Sequence, residues 1–192
     1  MNFIEIENED EHILIAAAKQ GNLKAFDVLY VRYRKVMADL VYRYLGNYHE
    51  SEELLQEIFI QCFLKLEKFK IRSGASFFSW LYRIGINMSI NYLKRRKSSS
   101  EMINQHAHVL PKEGASDDPE RYTLRKKFEQ DFYQGMSRLS PHQRMIFILK
   151  HFQDMRICEI AQLMQCTEGT VRKQFYRSVT KLRKEMSAYL EE

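Results

Sequence analysis

Breakers are scarce in this sequence, with seven glycines and three prolines among 192 residues. So few leave little material for a series of tight β-turns. Together with abundant Leu, Ile, Lys, Glu, Arg and Tyr, they point to an all-α protein. The three cysteines, Cys62, Cys158 and Cys166, form no C-x-x-C pair. That spacing excludes a zinc ribbon and a disulfide framework, and it fits a reducing cytosol. The cysteines read as small buried hydrophobes. No apolar run approaches the ~18 residues of a membrane span. The opening MNFIEIENEDEH is acidic where a signal peptide is basic, so no membrane insertion and a cytoplasmic location are expected. His106 and His108 lie in a breaker-rich stretch without further ligands, so no metal is expected there. There is no paired His, no Ser–His context and no Gly-rich phosphate loop. No catalytic residue and no cofactor is therefore assigned.

What is present is positive charge, unevenly placed. The formal net charge is +5, which suits an acidic partner without dictating a fold. From Ile13 to Lys97 the pattern is helical, broken near Gly21, Gly46 and Gly74. A long helix ending at Gly46 is expected from LKAFDVLYVRYRKVMADLVYRYLG. The stretch SSSEMINQHAHVLPKEGASDDPE loses the periodicity and collects Ser, Pro, Gly and Asp. It reads as a flexible linker over 98–121, between a helical domain at 1–97 and another at 122–192. Ser140 before Pro141 starts a helix well, a cap followed by proline at the first helical position.

Near the end, CTEGTVRKQFYRSVTKLRKE joins Thr167, a capping residue, to a strongly basic helix. Val171, Phe175, Val179 and Leu182 fall within about 80° of one another on the wheel and make a buried stripe. Lys173, Tyr176, Arg177 and Thr180 point the other way, with Arg172, Gln174 and Lys181 on the flanks. The preceding ICEIAQLM is a short amphipathic helix with Ile157, Ile160, Ala161 and Met164 inward. Short helix, small turn and capped second helix make a helix-turn-helix, whose second helix enters the major groove of DNA. There Arg and Lys serve guanine or phosphate, and Gln serves adenine. The competing reading is an exposed charged helix that binds nothing.

The second informative stretch is FKIRSGASFFSWLYRIGINMSINYLKRRK. With Trp80 at zero on the wheel, Arg83, Asn87, Asn91 and Lys94 share its strip, with Phe77 at one edge. Leu81, Tyr82, Ile86, Met88 and Leu93 cover the rest and make core. Aromatic, guanidinium, amide and ammonium groups in one strip suit an unpaired nucleic-acid strand. The loop KIRSGAS, with Ser73, has hydroxyls and backbone N–H groups that suit an extruded base. The alternative, with Trp80 and Phe77 as core, stays open. Between these stretches, Leu54, Leu55, Ile58, Phe59, Cys62, Phe63 and Leu66 cover one half of a helix. Glu53, Gln56, Glu57, Ile60 and Leu64 cover the other. Acids mixed with aliphatics on an outward face suggest docking of a basic helical partner, although carboxylates in a first turn also complement the helix dipole without any partner.

Taken in order, ELLQEIF, FFSWLYRIGINMSINYL and EIAQLMQCTEGTVRKQFYR resemble the sigma-70 family of bacterial RNA polymerase sigma factors, in its extracytoplasmic-function (ECF) subfamily. The resemblance covers roughly residues 10–97, like the family's region 2, and 122–185, like its region 4. It implies a non-catalytic protein that binds core polymerase, recognises the −35 and −10 promoter elements and promotes melting. Glu53, Gln56, Glu57 and Ile60 would then dock on the coiled coil of the largest subunit. The second subunit's flap would be a further contact. Ser73, Phe77, Trp80, Arg83, Asn87, Asn91 and Lys94 would hold the non-template strand of the −10 element. Thr170, Arg172, Lys173, Gln174, Tyr176, Arg177 and Lys181 would read the −35 duplex. The resemblance further implies an anti-sigma partner, a monomer on the polymerase and a place at the nucleoid. The sequence departs from the pattern at Gln165, where glycine is usual, at RICEIA, at the Glu52–Glu53 pair and in the KIRSGAS loop.

Overall fold

A computed structural model describes residues 9–70, 76–98 and 119–189. They form α1 (Glu11–Lys19), α2 (Leu23–Leu45), α3 (Tyr48–Lys65), α4 (Phe77–Ser98), α5 (Pro119–Ser137), α6 (Pro141–His151), α7 (Ile157–Met164) and α8 (Glu168–Glu185), with 3₁₀ turns at Leu66–Lys68 and Ser187–Tyr189. No strand occurs among the described residues, and the protein is all-α. The acidic residues 1–8, the loop residues Ile71–Ala75 including Ser73, and the stretch 99–118 with His106 and His108 lie outside the described residues. α5 already begins at Pro119, inside the range read as linker.

Local chemistry sets the helix ends. Asp10, Asn22, Asn47, Ser140 and Thr167 each accept a backbone N–H from the first turn of the helix that follows. Such caps satisfy donors that a helix start leaves unpaired. Ser140 and Gln143 complete a reciprocal capping box with Pro141 at the first helical position. α2 stops at Gly46, which is left-handed at φ 72°. Glycine suits that conformation, and a Cβ there would sit 3.0 Å from the Tyr133 ring, which would have to yield slightly.

α2, α3 and α4 pack around Met37, Leu40, Leu55, Ile58, Leu81 and Ile86, with α1 laid against α2. α6, α7 and α8 pack around Ile146, Leu149, Ile160 and Val171. The two groups share one continuous core, because α6 lies on both α2 and α4, and α7 on α4. The seam is also polar. The Tyr44 hydroxyl donates to the Pro141 carbonyl at 3.1 Å, and the Gln153 amide donates to Asp39 at 2.7 Å. The Arg43 guanidinium stands 4.6 Å from the centre of the Phe152 ring. Arg144, 1% exposed, lies 5.6 Å from the Tyr44 ring centre. Its Nε and Nη2 find no hydrogen-bond partner among the described residues. Burial pulls its pKa down to about 10.

Several expectations about burial are corrected. Phe63, placed in the buried half of α3, is exposed, because it sits at the rim beside Phe26 with ring centres 5.0 Å apart. In α8, Phe175 and Val179 are only half-buried, while Ser178 is fully buried, its hydroxyl satisfied by the Phe175 carbonyl. In α7, Leu163 is buried while Ile157 and Met164 are half-buried. Met88 is likewise half-buried. Cys62 is buried, with its thiol pushed up to about 12, but Cys158 and Cys166 are half-buried.

Candidate nucleic-acid interface

α7 and α8 meet across a short turn. Arg156 and Glu159 form a reciprocal pair at the start of α7, and their bond holds the Glu159 carboxyl below its ordinary range. Ala161 is buried where the helices cross. Gln165 ends α7 in the left-handed region at φ 53°, a conformation that costs a non-glycine residue about 1–2 kcal/mol. This is the position where the resembled family usually has glycine. Thr167 then caps α8, its Oγ1 accepting from Thr170 N at 3.2 Å, with the two threonine hydroxyls 2.9 Å apart.

The outward face of α8 carries Arg172, Lys173, Tyr176, Arg177, Thr180 and Lys181, all exposed; Tyr176 is 73% exposed. Lys173 and Arg177 have no ion-pair partner among the described residues. Arg172 is paired with Glu168 at 2.8 Å. Such an exposed pair is worth under about 1 kcal/mol, so it exchanges readily for a phosphate or a guanine edge. A groove of about 450 Å³ runs beside this face, lined by Gln143, Tyr176, Arg177, Thr180 and Lys181. Gln174 differs from its neighbours. It is half-buried, and its carbonyl oxygen accepts from Gln143 at 3.0 Å.

On α4, Asn87, Asn91 and Lys94 are exposed in one row. Trp80 is half-buried at the head of that row, leaning on Phe69 and Phe77 with ring centres 5.0 and 5.7 Å away. Arg83 is half-buried, and its Nε has no hydrogen-bond partner among the described residues. Phe77 does not join the strip. It is 1% exposed and packed between Tyr33, Phe69 and Trp80, so its ring has no face free for a base. Wheel position put it at the strip's edge, but the aromatic cluster beneath Trp80 draws it inward. Ser76 caps α4, accepting from Ser79 N at 3.1 Å. Ser73 lies outside the described residues.

On α3, Glu50 pairs with Arg96 at 2.7 Å and Glu52 with Arg34 at 2.9 Å. Glu53 has the exposed His49 at 3.2 Å. Glu53, Gln56 and Glu57 are exposed beside Ile60 and Leu64, which are 57% and 65% exposed. Sequence reasoning missed Gln143, which lines the groove beside α8, and Arg144, which is buried in the α2–α6 seam. Arg144 gave no signal, because a lone arginine in an amphipathic helix reads as surface. Gln143 could have been found from its place as the glutamine of the Ser140 capping box.

The comparisons with known proteins agree with this architecture. The family described as Sigma-70 region 2 matches residues 29–99, and Sigma-70, region 4 matches residues 129–182. The chain is 30% identical to the RNA polymerase sigma-H factor of Pseudomonas aeruginosa over 190 residues, covering 96% of this chain and 97% of the relative. It is 32% identical to the ECF RNA polymerase sigma-E factor of Escherichia coli K12 over 174 residues, covering 88% and 90%. Among solved structures, the sigma factor RpoE of Bartonella quintana, in complex with the anti-sigma factor NepR, shares the fold with a TM-score of 0.64 at 19% identity, covering 85% of this chain and 98% of that one. CnrH, solved with the cytosolic domain of CnrY, also gives 0.64 at 19% identity, covering 94% and 99%. No described helix is long and apolar enough to cross a membrane. With a region-2 bundle and a region-4 helix-turn-helix in one chain, matched nearly end to end by curated sigma factors, this protein belongs to the sigma-70 family of RNA polymerase sigma factors, in its ECF group.

Proposed function

We propose that this chain directs core RNA polymerase to a set of promoters by gripping three surfaces at once. The outer face of α3, through Glu53, Gln56, Glu57 and Ile60, docks on the coiled coil of the polymerase's largest subunit. α8 reads the −35 element as duplex through Thr170, Arg172, Lys173, Gln174, Tyr176, Arg177 and Lys181. The α4 strip, through Trp80, Arg83, Asn87, Asn91 and Lys94 with the loop at Ser73, captures the non-template strand of the −10 element. Residues 1–97 and 122–192 act as the two binding units and 98–121 as their tether. The chain contributes binding energy and no bond chemistry. Capture of unstacked bases offsets melting, at a few kcal/mol per step. The flap of the second subunit and an anti-sigma protein are further partners in this reading, which places the chain as a monomer on polymerase at the nucleoid.

The observation that carries the proposal is the coexistence, in one sigma-family chain, of the exposed cations Lys173 and Arg177 on a capped helix and exposed Ile60 and Leu64 beside the exposed acids Glu53 and Glu57. A helix-turn-helix regulator acting without polymerase would account for the first and leave the second without a role. The test is run-off transcription on genomic DNA with purified core polymerase. Defined start sites are expected with the wild type. Glu53→Lys is expected to lose core association in pull-down. Arg177→Ala is expected to retain core binding but weaken upstream duplex binding by about 1–3 kcal/mol. No initiation at any site, or unchanged behaviour of both variants, would overturn the assignments.

A further inference from the structure

Gln143 is a buried polar hub beneath the recognition helix. One of its amide atoms is 3.3 Å from the Ser140 backbone N–H and 3.2 Å from the Lys181 ammonium. Both neighbours are donors with nothing to accept, so the atom between them is the carbonyl oxygen. The Gln143 amino group therefore faces Gln174, at 3.0 Å, and the Gln174 atom that receives it is the carbonyl oxygen. This chain of constraints fixes both amides without reference to DNA. It leaves Gln174 with its oxygen turned inward and its amino group turned out, with no acceptor for that amino group among the described residues.

A glutamine read from sequence serves adenine by offering oxygen and amino group together. Here the oxygen is already engaged. We propose that Gln143 is a positioning residue that sets the hydrogen-bond polarity of Gln174, so that Gln174 presents a donor to an acceptor on the DNA. In the major groove that acceptor is O6 or N7 of guanine, N7 of adenine or O4 of thymine, and cytosine alone offers none; on the backbone it is a phosphate oxygen. The inference rests on the assignment of α8 to duplex reading. It adds that one position of the upstream element is read with a fixed sign, dictated from α6.

Gln143→Glu keeps an acceptor for Ser140 and Lys181 while placing a second acceptor toward Gln174, which reverses the Gln174 amide and turns its oxygen outward. Gln174→Glu gives the same outward acceptor without disturbing the buried position, and so covers failure of the first variant to fold. The full chain, assembled with core RNA polymerase, is used to select from promoter fragments randomised over both elements. The wild type is expected to select against cytosine, whose major-groove edge offers only a donor, at one upstream position, and both variants to raise cytosine there by roughly fivefold to tenfold. If the acceptor is a phosphate, the selected bases stay the same, while Gln143→Glu lowers affinity about fivefold and that loss disappears in a Gln174→Ala background. An affinity loss that persists in the Gln174→Ala background reflects added charge and refutes the relay, as does an unchanged selection at unchanged affinity. If the wild type selects a downstream element but no upstream one, the assignment of α8 itself fails and the inference falls with it.

Discussion

Replacing Arg144 by methionine should stabilise this protein. The guanidinium is 1% exposed, and two of its nitrogens, Nε and Nη2, lack hydrogen-bond partners among the described residues. Burial lowers its pKa from the ordinary 12.5 to about 10, which corresponds to roughly 3 kcal/mol against the charged form. The Tyr44 ring, 5.6 Å away, returns about 1–2 kcal/mol as a cation–π contact. Methionine has a similar length and no charge to desolvate, so Arg144→Met should gain on the order of 1–2 kcal/mol. For a chain of this size that raises the melting temperature by roughly 2–8 °C. Arg144→Ala removes the same charge but leaves a cavity, and should not gain. Urea unfolding followed by circular dichroism measures both variants, and a single transition is expected because the core runs unbroken across the α2–α6 seam. If Arg144→Met instead loses more than about 1 kcal/mol, the remaining N–H groups hold the seam more strongly than the charge strains it, and the argument is wrong.

Two further outcomes test local arguments. Gln165→Gly relieves the left-handed φ of 53°. Because glycine also gains freedom in the unfolded chain, the net rise should be about 0.5–1 kcal/mol, seen as a higher melting temperature; a fall would refute the strain. His142, near the seam, is held below its ordinary 6.5 by burial first and by Lys94 second. The folded state thus prefers the neutral imidazole, and the unfolded chain binds more protons as pH drops below about 6.5. Stability should fall in that window and level off beneath the folded pKa. His142→Asn should flatten this part of the profile, measured as urea midpoints between pH 5 and 7.5, and an identical slope in the variant would count against it.

The helices were legible because their ends are local. Gly46, the Ser140–Pro141 pair and Thr167 carry their own stopping and capping chemistry, and each sits where the sequence places it. The wheel likewise separated Ile60 and Leu64 from Leu54 and Ile58 on α3. What stayed illegible depends on partners distant in sequence. Arg144 is buried because α6 lies across Tyr44, a hundred residues earlier in the chain. Phe77 is drawn inward by Phe69 and Tyr33, which no periodicity within α4 can register. The orientation of Gln174 depends on Gln143, thirty-one residues away. In each case the wheel gives the direction of a side chain but not what stands there to meet it.

The distribution of paired and unpaired charge sorts the surfaces further than composition could. Arg34–Glu52 and Arg96–Glu50 tie α3 to its neighbours within the bundle. Those acids are committed to structure, which leaves Glu57, and Glu53 beside the exposed His49, as the negative groups beside Ile60 and Leu64. On α8 the acid Glu168 holds Arg172 but nothing holds Lys173 or Arg177 among the described residues. The net charge of +5 over the whole chain therefore hides two described faces of opposite sign, acidic on α3 and basic on α8. Exposed charges of this kind are screened over roughly 8–10 Å at moderate ionic strength. Salt should weaken both contacts, but in different ways. The α8 contact should lose affinity with a slope set by the phosphates neutralised. The α3 contact keeps the apolar contribution of Ile60 and Leu64 and should persist to higher salt, so core binding should outlast promoter binding as ionic strength rises.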